Sequence, residues 1–162
     1  MMKTYIGIDN GVTGSLAIIT ENETFFHKTP VFLQQDYTKK KQNISRLDSV
    51  KFCEILSKHK DNAFVLLERP MVNTGRFRQS LSAVRCLEAT ICCLELLKIP
   101  YQYIDSKEWQ KSFFPKGYEK GETKRLSVEV ASRLFPVFIE EIKKQKDGDA
   151  LLIAEYAKRR SF

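Results

Sequence analysis

The chain has 162 residues, of which 43% are hydrophobic, and its 27 Lys and Arg outnumber its 20 Asp and Glu to give a net charge of +7. That length suits one domain over residues 1–162, and no apolar run reaches the roughly 18 to 20 residues of a membrane span. The basic balance favours a polyanionic partner, although a basic surface kept for solubility would give the same charge.

The compartment and the redox state follow from what the sequence lacks. The N-terminus starts directly with a strand-like segment, without the basic and apolar regions of a signal peptide. We therefore expect an intracellular, cytoplasmic protein, although a nucleus or an infected cell would give the same pattern. His27 and His59 are isolated, and no C-x-x-C pair or zinc-ligand spacing occurs. We expect reduced core or interface cysteines at Cys53, Cys86, Cys92 and Cys93.

The predicted elements begin with two strands, over 4–9 and 15–20, which a glycine-containing turn joins into a hairpin. A third strand is expected over 24–28. The polar segment 30–44 contains three consecutive lysines and predicts an exposed loop.

The next segment predicts a helix from an N-cap at Asp48 to about Lys58. Its expected buried side consists of Val50, Phe52, Cys53, Leu56 and Ser57. A short apolar run over 63–67, typical of a strand buried on both faces, then ends at Glu68. Residues 69–78 predict a loop.

A long helix is predicted over 79–98, ended by Pro100. Its main apolar stripe, expected to face a sheet, is Leu81, Val84, Leu87, Ile91 and Leu94. A second, mostly small set shares another face: Ala83, Cys86, Thr90, Cys93 and Leu97. Two apolar faces on one helix predict burial on more than one side, so the second set is a candidate dimer interface. The alternative is that it packs under the chain's own last helix.

The remaining elements complete the chain. They are a strand over 101–104, an amphipathic segment over 106–114, a basic loop over 116–122 and helices over 123–135 and 150–160. Strands and helices in this order predict an α/β fold with a mixed central β-sheet flanked by helices.

Four acids occupy structurally special positions. Asp9 ends the first strand, Glu68 ends the buried strand, and Asp147 and Asp149 stand before the last helix. Converging carboxylates are tolerable when divalent cations neutralise them, and oxygen ligands without nearby His or Cys select Mg²⁺ or Mn²⁺. Two such ions about 4 Å apart can activate water and stabilise the leaving oxygen of a phosphodiester. Each acid alone also fits a turn, surface or helix-capping role.

Five segments, in the correct order, resemble the motifs of the RuvC-type Holliday junction resolvases, which belong to the RNase H-like superfamily. They are Ile-Gly-Ile-Asp-Asn-Gly-Val-Thr-Gly-Ser at 6–15, Leu-Leu-Glu-Arg-Pro at 66–70, Tyr-Ile-Asp-Ser-Lys-Glu-Trp at 103–109, Thr-Lys-Arg-Leu-Ser at 123–127 and Asp-Ala-Leu-Leu-Ile-Ala at 149–154. The resemblance, closest to the bacterial and phage branch, implies an RNase H-like fold. It also implies a homodimer that cuts four-way DNA junctions by paired symmetric incisions with Mg²⁺, two ions per site, for which Mn²⁺ can substitute.

The family's four catalytic acids map onto this chain residue by residue. Asp9, Glu68 and Asp149 fall on the first, second and fourth. The family places the third acid three or more residues before the fourth, where this chain has Lys146. Asp147, two residues before, is therefore assigned as the third acid on a shortened helix start.

The family also carries an aromatic wedge after the second acid. Met71 stands near that position, and Phe77, between Arg76 and Arg78, is a candidate substitute. The alternative for Phe77 is a loop aromatic folded onto the following helix. The predicted DNA contacts are Met71, Arg76, Phe77, Arg78, Lys107, Lys124 and Lys146.

Three other functions compete with a resolvase. The turn after Asp9 also resembles the first phosphate loop of the sugar kinase and actin-like ATPases, but no second glycine-rich phosphate loop follows. Another RNase H-like nuclease, such as an RNase H or a flap-cleaving enzyme, is the closer rival. A non-catalytic nucleic-acid-binding module would leave the four acids unexplained, because acids repel phosphates unless metals intervene.

Overall fold

The computed structural model describes residues 3–39 and 41–162. Within them the strands are β1 (Thr4–Asp9), β2 (Ser15–Ile19), β3 (Thr24–Lys28), β4 (Val31–Gln35), β5 (Asn43–Leu47), β6 (Ala63–Glu68) and β7 (Tyr101–Ile104). The α-helices are α1 (Ser49–Ser57), α2 (Phe77–Leu96), α3 (Ser106–Phe113), α4 (Thr123–Leu134), α5 (Ile139–Gln145) and α6 (Asp149–Arg160). Short 3₁₀ turns precede α2, α4 and α5.

A five-stranded mixed sheet organises the chain, in the order β3-β2-β1-β6-β7. The β3-β2-β1 meander is antiparallel, whereas β6 and β7 continue the sheet parallel to β1. Helices cover both faces, which explains the continuous apolar run of β6. Helices α1 and α2 lie on one face and α3 to α6 on the other. The expected mixed sheet flanked by helices is confirmed.

Helix α6 packs directly onto the central strand β1. Gly7 lies beneath it, and a Cβ atom at this position would collide with the backbone of Ala150 and Ala154. Glycine is therefore required here by close approach of two backbones. This contact brings the first turn of α6 close to the end of β1.

The segment predicted as an exposed loop over 30–44 is instead part of a two-stranded ribbon. Strands β4 and β5 pair antiparallel, from Val31 opposite Leu47 to Gln35 opposite Asn43. The loop prediction was wrong because the segment's polarity reflects exposure, and an isolated antiparallel ribbon can be exposed along its length. Only Leu47 of the ribbon is buried.

Helix α1 has the predicted cap but a narrower buried side. The Asp48 carboxylate accepts a hydrogen bond from the Lys51 N–H at 3.1 Å, as an N-cap does. Phe52 and Leu56 are buried, whereas Val50 and Ser57 are exposed, so their assignment to the buried side was wrong. Val50 and Ser57 lie on the solvent-facing side of α1, because only the narrow face that contains Phe52 and Leu56 is buried.

Both predicted faces of α2 contribute to the core, with Leu87 and Ile91 of the main stripe packed against it. Cys86, Thr90 and Cys93, predicted to meet a second subunit, are buried inside the chain with Leu94, whereas Val84 of the main stripe is 43% exposed. Ala83 is half-buried. Small side chains let α2 lie close to its own sheet and α1, so Cys86, Thr90 and Cys93 pack within the chain rather than on its surface. Nor does it pack under the last helix, because α6 lies on the opposite face.

Several boundaries also differ from the sequence predictions. Helix α2 begins at Phe77, two residues earlier than predicted, and α5 occupies a segment for which no element was predicted. Phe77 is 69% exposed, so its ring does not fold onto the helix. No helix in the described ranges is long and apolar enough to cross a membrane. All four cysteines are free.

Candidate metal centre

Two acids meet where the central parallel strands end. Strands β1 and β6 are in register up to Ile8 opposite Leu67, so Asp9 and Glu68 come next on neighbouring strands. Because side chains alternate along a strand, both acids lie on the face that Gly7 and Leu66 share with α6. The sheet therefore holds two carboxyl groups side by side at one edge.

Helix α6 supplies a third carboxyl group from above that edge. Asp149 is its first residue, and one oxygen each of Asp9, Glu68 and Asp149 lies within 4.8 Å of the others. Three of the four predicted catalytic acids are thus brought together. The close contact of α6 with β1 at Gly7 is what allows this.

The carboxyl groups perturb one another strongly. Burial, followed by repulsion from Asp147, Glu68 and Asp149, raises the pKa of Asp9 well above its usual range. Burial and the nearby Asp149 and Asp147 raise the pKa of Glu68 to about 8. Burial and Asp147 raise the pKa of Asp149 to about 6. These shifts indicate negative charge that lacks sufficient compensation from the chain itself.

Among the residues that the structure describes, one cation faces this cluster. The Lys124 Nζ atom lies 3.9 Å from an oxygen of Asp149. Burial alone would lower the pKa of Lys124, but the carboxylates, Asp149 first, raise it above its usual value. A single exposed ammonium group offsets only part of the charge of the neighbouring acids.

Asp147 is buried behind the three clustered acids. Its Oδ2 atom accepts a hydrogen bond from Ser15 Oγ at 2.9 Å, and its Oδ1 atom accepts one from the Asp149 N–H at 3.0 Å. Both carboxylate oxygens therefore have partners within the protein. Asp147 does not belong to the three-carboxylate group, and its hydrogen bond to the Asp149 backbone orients the start of α6.

Sequence reasoning missed three supporting residues. Ser15 holds Asp147, and Ser127 of α4 donates a hydrogen bond to Asp149 and accepts one from the Gly148 N–H. Trp109 of α3 is completely buried near Glu68, and its indole N–H has no hydrogen-bond partner among the described residues. All three stand inside the quoted motifs. A serine or tryptophan in an apolar element is a usable signal, since its polar atom needs a partner.

The donor set fits a hard divalent cation. Three carboxyl groups converge, and a bound cation would offset both the burial of their charge and their mutual repulsion, which together raise their pKa values. No His or Cys belongs to the cluster, so its chemistry favours Mg²⁺ or Mn²⁺ over zinc. Asp9, Glu68 and Asp149 are the residues that would hold the ion.

The predicted DNA-contact residues divide into separate groups. Met71, Arg76, Phe77 and Arg78 form an exposed stretch between Glu68 and the first turn of α2. Lys124 faces the acids, and Lys146 is exposed one residue before Asp147. Lys107 is exposed on α3 and lines a polar depression with Lys111 and Arg160.

Comparison with solved structures identifies the fold. The chain is similar to T. thermophilus RuvC in complex with Holliday junction substrate, with a TM-score of 0.59, 11% identity and coverage of 98% of this chain and 96% of that one. It is also similar to a Thermus thermophilus RuvC structure, with a TM-score of 0.53, 14% identity and the same coverage. No family model and no curated protein matches the sequence. The chain therefore has a RuvC-like fold.

Proposed function

We propose that this protein is a metal-dependent endonuclease that cleaves branched DNA, with four-way junctions as its principal substrate. The observation that carries the proposal is the convergence of Asp9, Glu68 and Asp149 at one edge of a RuvC-like sheet. The net charge of +7 supports a polyanionic substrate. The substrate of the T. thermophilus RuvC complex, a Holliday junction, supports a four-way junction in particular.

Each residue of the centre has a distinct role in this proposal. Asp9, Glu68 and Asp149 hold Mg²⁺, two ions per site by the family's pattern, and Mg²⁺ bound there would activate water and stabilise the leaving oxygen of the phosphodiester. Asp147 and Ser15 orient the start of α6, and Ser127 orients the Asp149 carboxylate. Lys124 presents positive charge to the scissile phosphate. Asp147 is thus a positioning residue rather than a direct ligand.

The exposed stretch after Glu68 is the proposed contact with the branch point. Arg76 and Arg78 flank the exposed ring of Phe77, and Met71 is exposed nearer Glu68. Guanidinium groups contact phosphates, and an uncovered aromatic ring can stack on a base at the branch point. Lys107 and Lys146 extend the phosphate contacts. Paired symmetric incisions require two such sites, so we propose a homodimer.

The test compares cleavage of labelled four-way, three-way, flap, linear duplex and RNA–DNA hybrid substrates with Mg²⁺. We expect Asp9→Asn, Glu68→Gln and Asp149→Asn each to reduce cleavage at least about a thousandfold, because each removes a ligand that the chemistry requires. Binding of the four-way junction should persist, since less negative charge does not weaken phosphate contacts.

A matched control is Asp61→Asn, an exposed acid just before β6, at the opposite end of that strand from Glu68. It should cleave at the native rate. Native-like cleavage by any of the three cluster variants at saturating Mg²⁺ removes that residue from the site. Preferential cleavage of the RNA–DNA hybrid would indicate an RNase H instead of a resolvase. Preferential cleavage of flaps would indicate a flap-cleaving enzyme.

A further inference from the structure

A groove runs between the β4–β5 ribbon and α2, on the sheet face opposite α6. Its volume is about 680 Å³. Gln34, Tyr37 and Arg46 line the ribbon side, Arg85 and Ala89 line the α2 side, and Val12 lines one end.

Tyr37 is the most exposed large side chain among the described hydrophobic residues, at 86%. The guanidinium of Arg85 lies over its ring, 5.7 Å from the ring centroid. This cation–π contact tethers the ring at the mouth of the groove and covers at most one face. The other face is left open to stack on a flat ligand.

The charge of the surface favours an anion. The described residues of the ribbon and its turn include three basic residues, Lys39, Lys41 and Arg46, and one acidic residue, Asp36. Arg85 adds a cation from α2, and Glu88 is the acid that lines the groove. Arg78 lies seven residues before Arg85, on the same side of the helix. A second copy of this basic surface would repel it, whereas a phosphate backbone complements it.

The groove is held in a fixed position relative to the metal centre. Val12 follows Asp9 by three residues, in the turn between β1 and β2. Asn10 of the same turn donates a hydrogen bond from Nδ2 to the Ala83 carbonyl of α2 at 3.1 Å. One turn therefore connects the clustered acids to α2 and to one end of the groove.

We propose that this groove binds a single-stranded segment of the DNA substrate, with an unpaired base stacked on Tyr37 and phosphates contacted by Arg46 and Arg85. Aromatic rings combined with a cationic groove are the usual means of binding single strands. A paired base inside a duplex has both faces covered, so the open face of Tyr37 selects unpaired nucleotides. The inference rests on the proposed nuclease function for the identity of the polymer.

The experiment measures binding of a fluorescein-labelled oligothymidylate by anisotropy in EDTA, where no cleavage occurs. Tyr37→Ala should weaken binding about tenfold, since one base–aromatic stack is lost, and Arg85→Ala should do the same to a lesser degree. Tyr37→Phe keeps the ring and should bind within about twofold of the native protein. Affinity for a blunt linear duplex should not change in Tyr37→Ala.

The matched control is Arg159→Ala, which removes another guanidinium that lies over an aromatic ring, that of Phe113, on the other face of the sheet. It should leave oligothymidylate binding unchanged. Quenching of 2-aminopurine within the oligonucleotide reports stacking directly and should be lost only in Tyr37→Ala. Circular dichroism checks that each variant is folded, as expected for an exposed tyrosine.

Native oligothymidylate affinity in Tyr37→Ala, or a native protein that does not bind the oligonucleotide, overturns the proposal. A shift from dimer to monomer in Tyr37→Ala would identify the groove as a subunit contact and also overturn it. Tyr37-dependent binding without cleavage of any substrate would support single-strand binding by the groove and contradict the proposed nuclease function. Cleavage of junctions without Tyr37-dependent binding would support the nuclease function and overturn the groove proposal.

Discussion

At the scale of single residues, the four acids divide by their hydrogen bonds. The oxygens of Asp147 accept hydrogen bonds from Ser15 and from the Asp149 backbone, whereas Asp9 and Glu68 lie at strand ends facing Asp149. A carboxylate saturated by protein donors orients its neighbours, and carboxylates that face one another attract a cation. Asp147 and Asp149, two residues apart, therefore have different roles in the proposed metal centre: Asp147 positions α6 and Asp149 would bind the ion.

The raised pKa of Glu68 predicts how stability changes with pH. A carboxyl group whose pKa is higher in the folded state holds its proton more tightly there, so the free energy of unfolding falls as pH rises. The loss begins near the unfolded value, about 4.3, and is complete above the folded value of about 8. In EDTA we expect the native protein to lose on the order of 4 kcal/mol between pH 5 and pH 9.

Chemical denaturation across this pH range provides the measurement. Glu68→Gln should lose less stability than the native protein and be the more stable of the two at alkaline pH. Mg²⁺ should stabilise the native protein more at pH 8 than at pH 5, because protons compete with the cation for the carboxylates. Parallel pH profiles for the two proteins would show that Glu68 does not carry the shift.

At the scale of elements, the site depends on how closely α6 approaches β1. Gly7→Ala should destabilise the protein by about 3 kcal/mol, since the added methyl group meets backbone atoms of α6 that cannot rotate away. The separation of α6 from the sheet should also weaken Mg²⁺ binding. Gly121→Ala is the control, because a Cβ atom there meets nothing within 4 Å. Equal denaturation midpoints for the two variants would exclude this account of the contact.

The elements also differ in how well local sequence predicts them. The start of α1 is predictable because Asp48 is a preferred N-cap residue. Its carboxylate accepts a hydrogen bond from an N–H only three residues along the chain, so the signal is local. The β4–β5 ribbon gives no such signal, because neither strand alternates apolar and polar residues and both are largely exposed, apart from Ile44 and Leu47. Its pairing depends on contacts between strands, which a local pattern does not contain.

At the scale of the whole molecule, the buried side of α2 determines whether a charged substitution on this helix unfolds the protein or only changes its surface. Thr90 is 1% exposed, so Thr90→Glu should unfold the protein by burying an unpaired charge. Val84→Glu, on the outer side of the same helix, should fold normally. Circular dichroism and sedimentation distinguish the outcomes. A folded Thr90→Glu variant that only changes its sedimentation would restore the interface first predicted from the sequence.

Subunit pairing itself is tested by sedimentation of the native protein. We expect a dimer, because paired incisions need two metal centres. If the native protein sediments as a monomer at tens of micromolar, paired incision is contradicted, and the proposed nuclease would make single nicks. Since Cys86, Thr90 and Cys93 face inward, a dimer formed through α2 would have to use its solvent side, where Val84 is exposed.

The sequence by itself determined the strands of the main sheet, the helices other than α5, and the three clustered acids, but not the β4–β5 ribbon. Strand ends and helix starts are local features, and parallel strands in register bring Asp9 and Glu68 to one edge. Only the tertiary structure decided which side of α2 is buried, because both sides carry apolar residues and the choice depends on the surface opposite. It likewise decided that Asp147 turns towards Ser15, since a hydrogen bond spanning 132 residues of chain has no local signature.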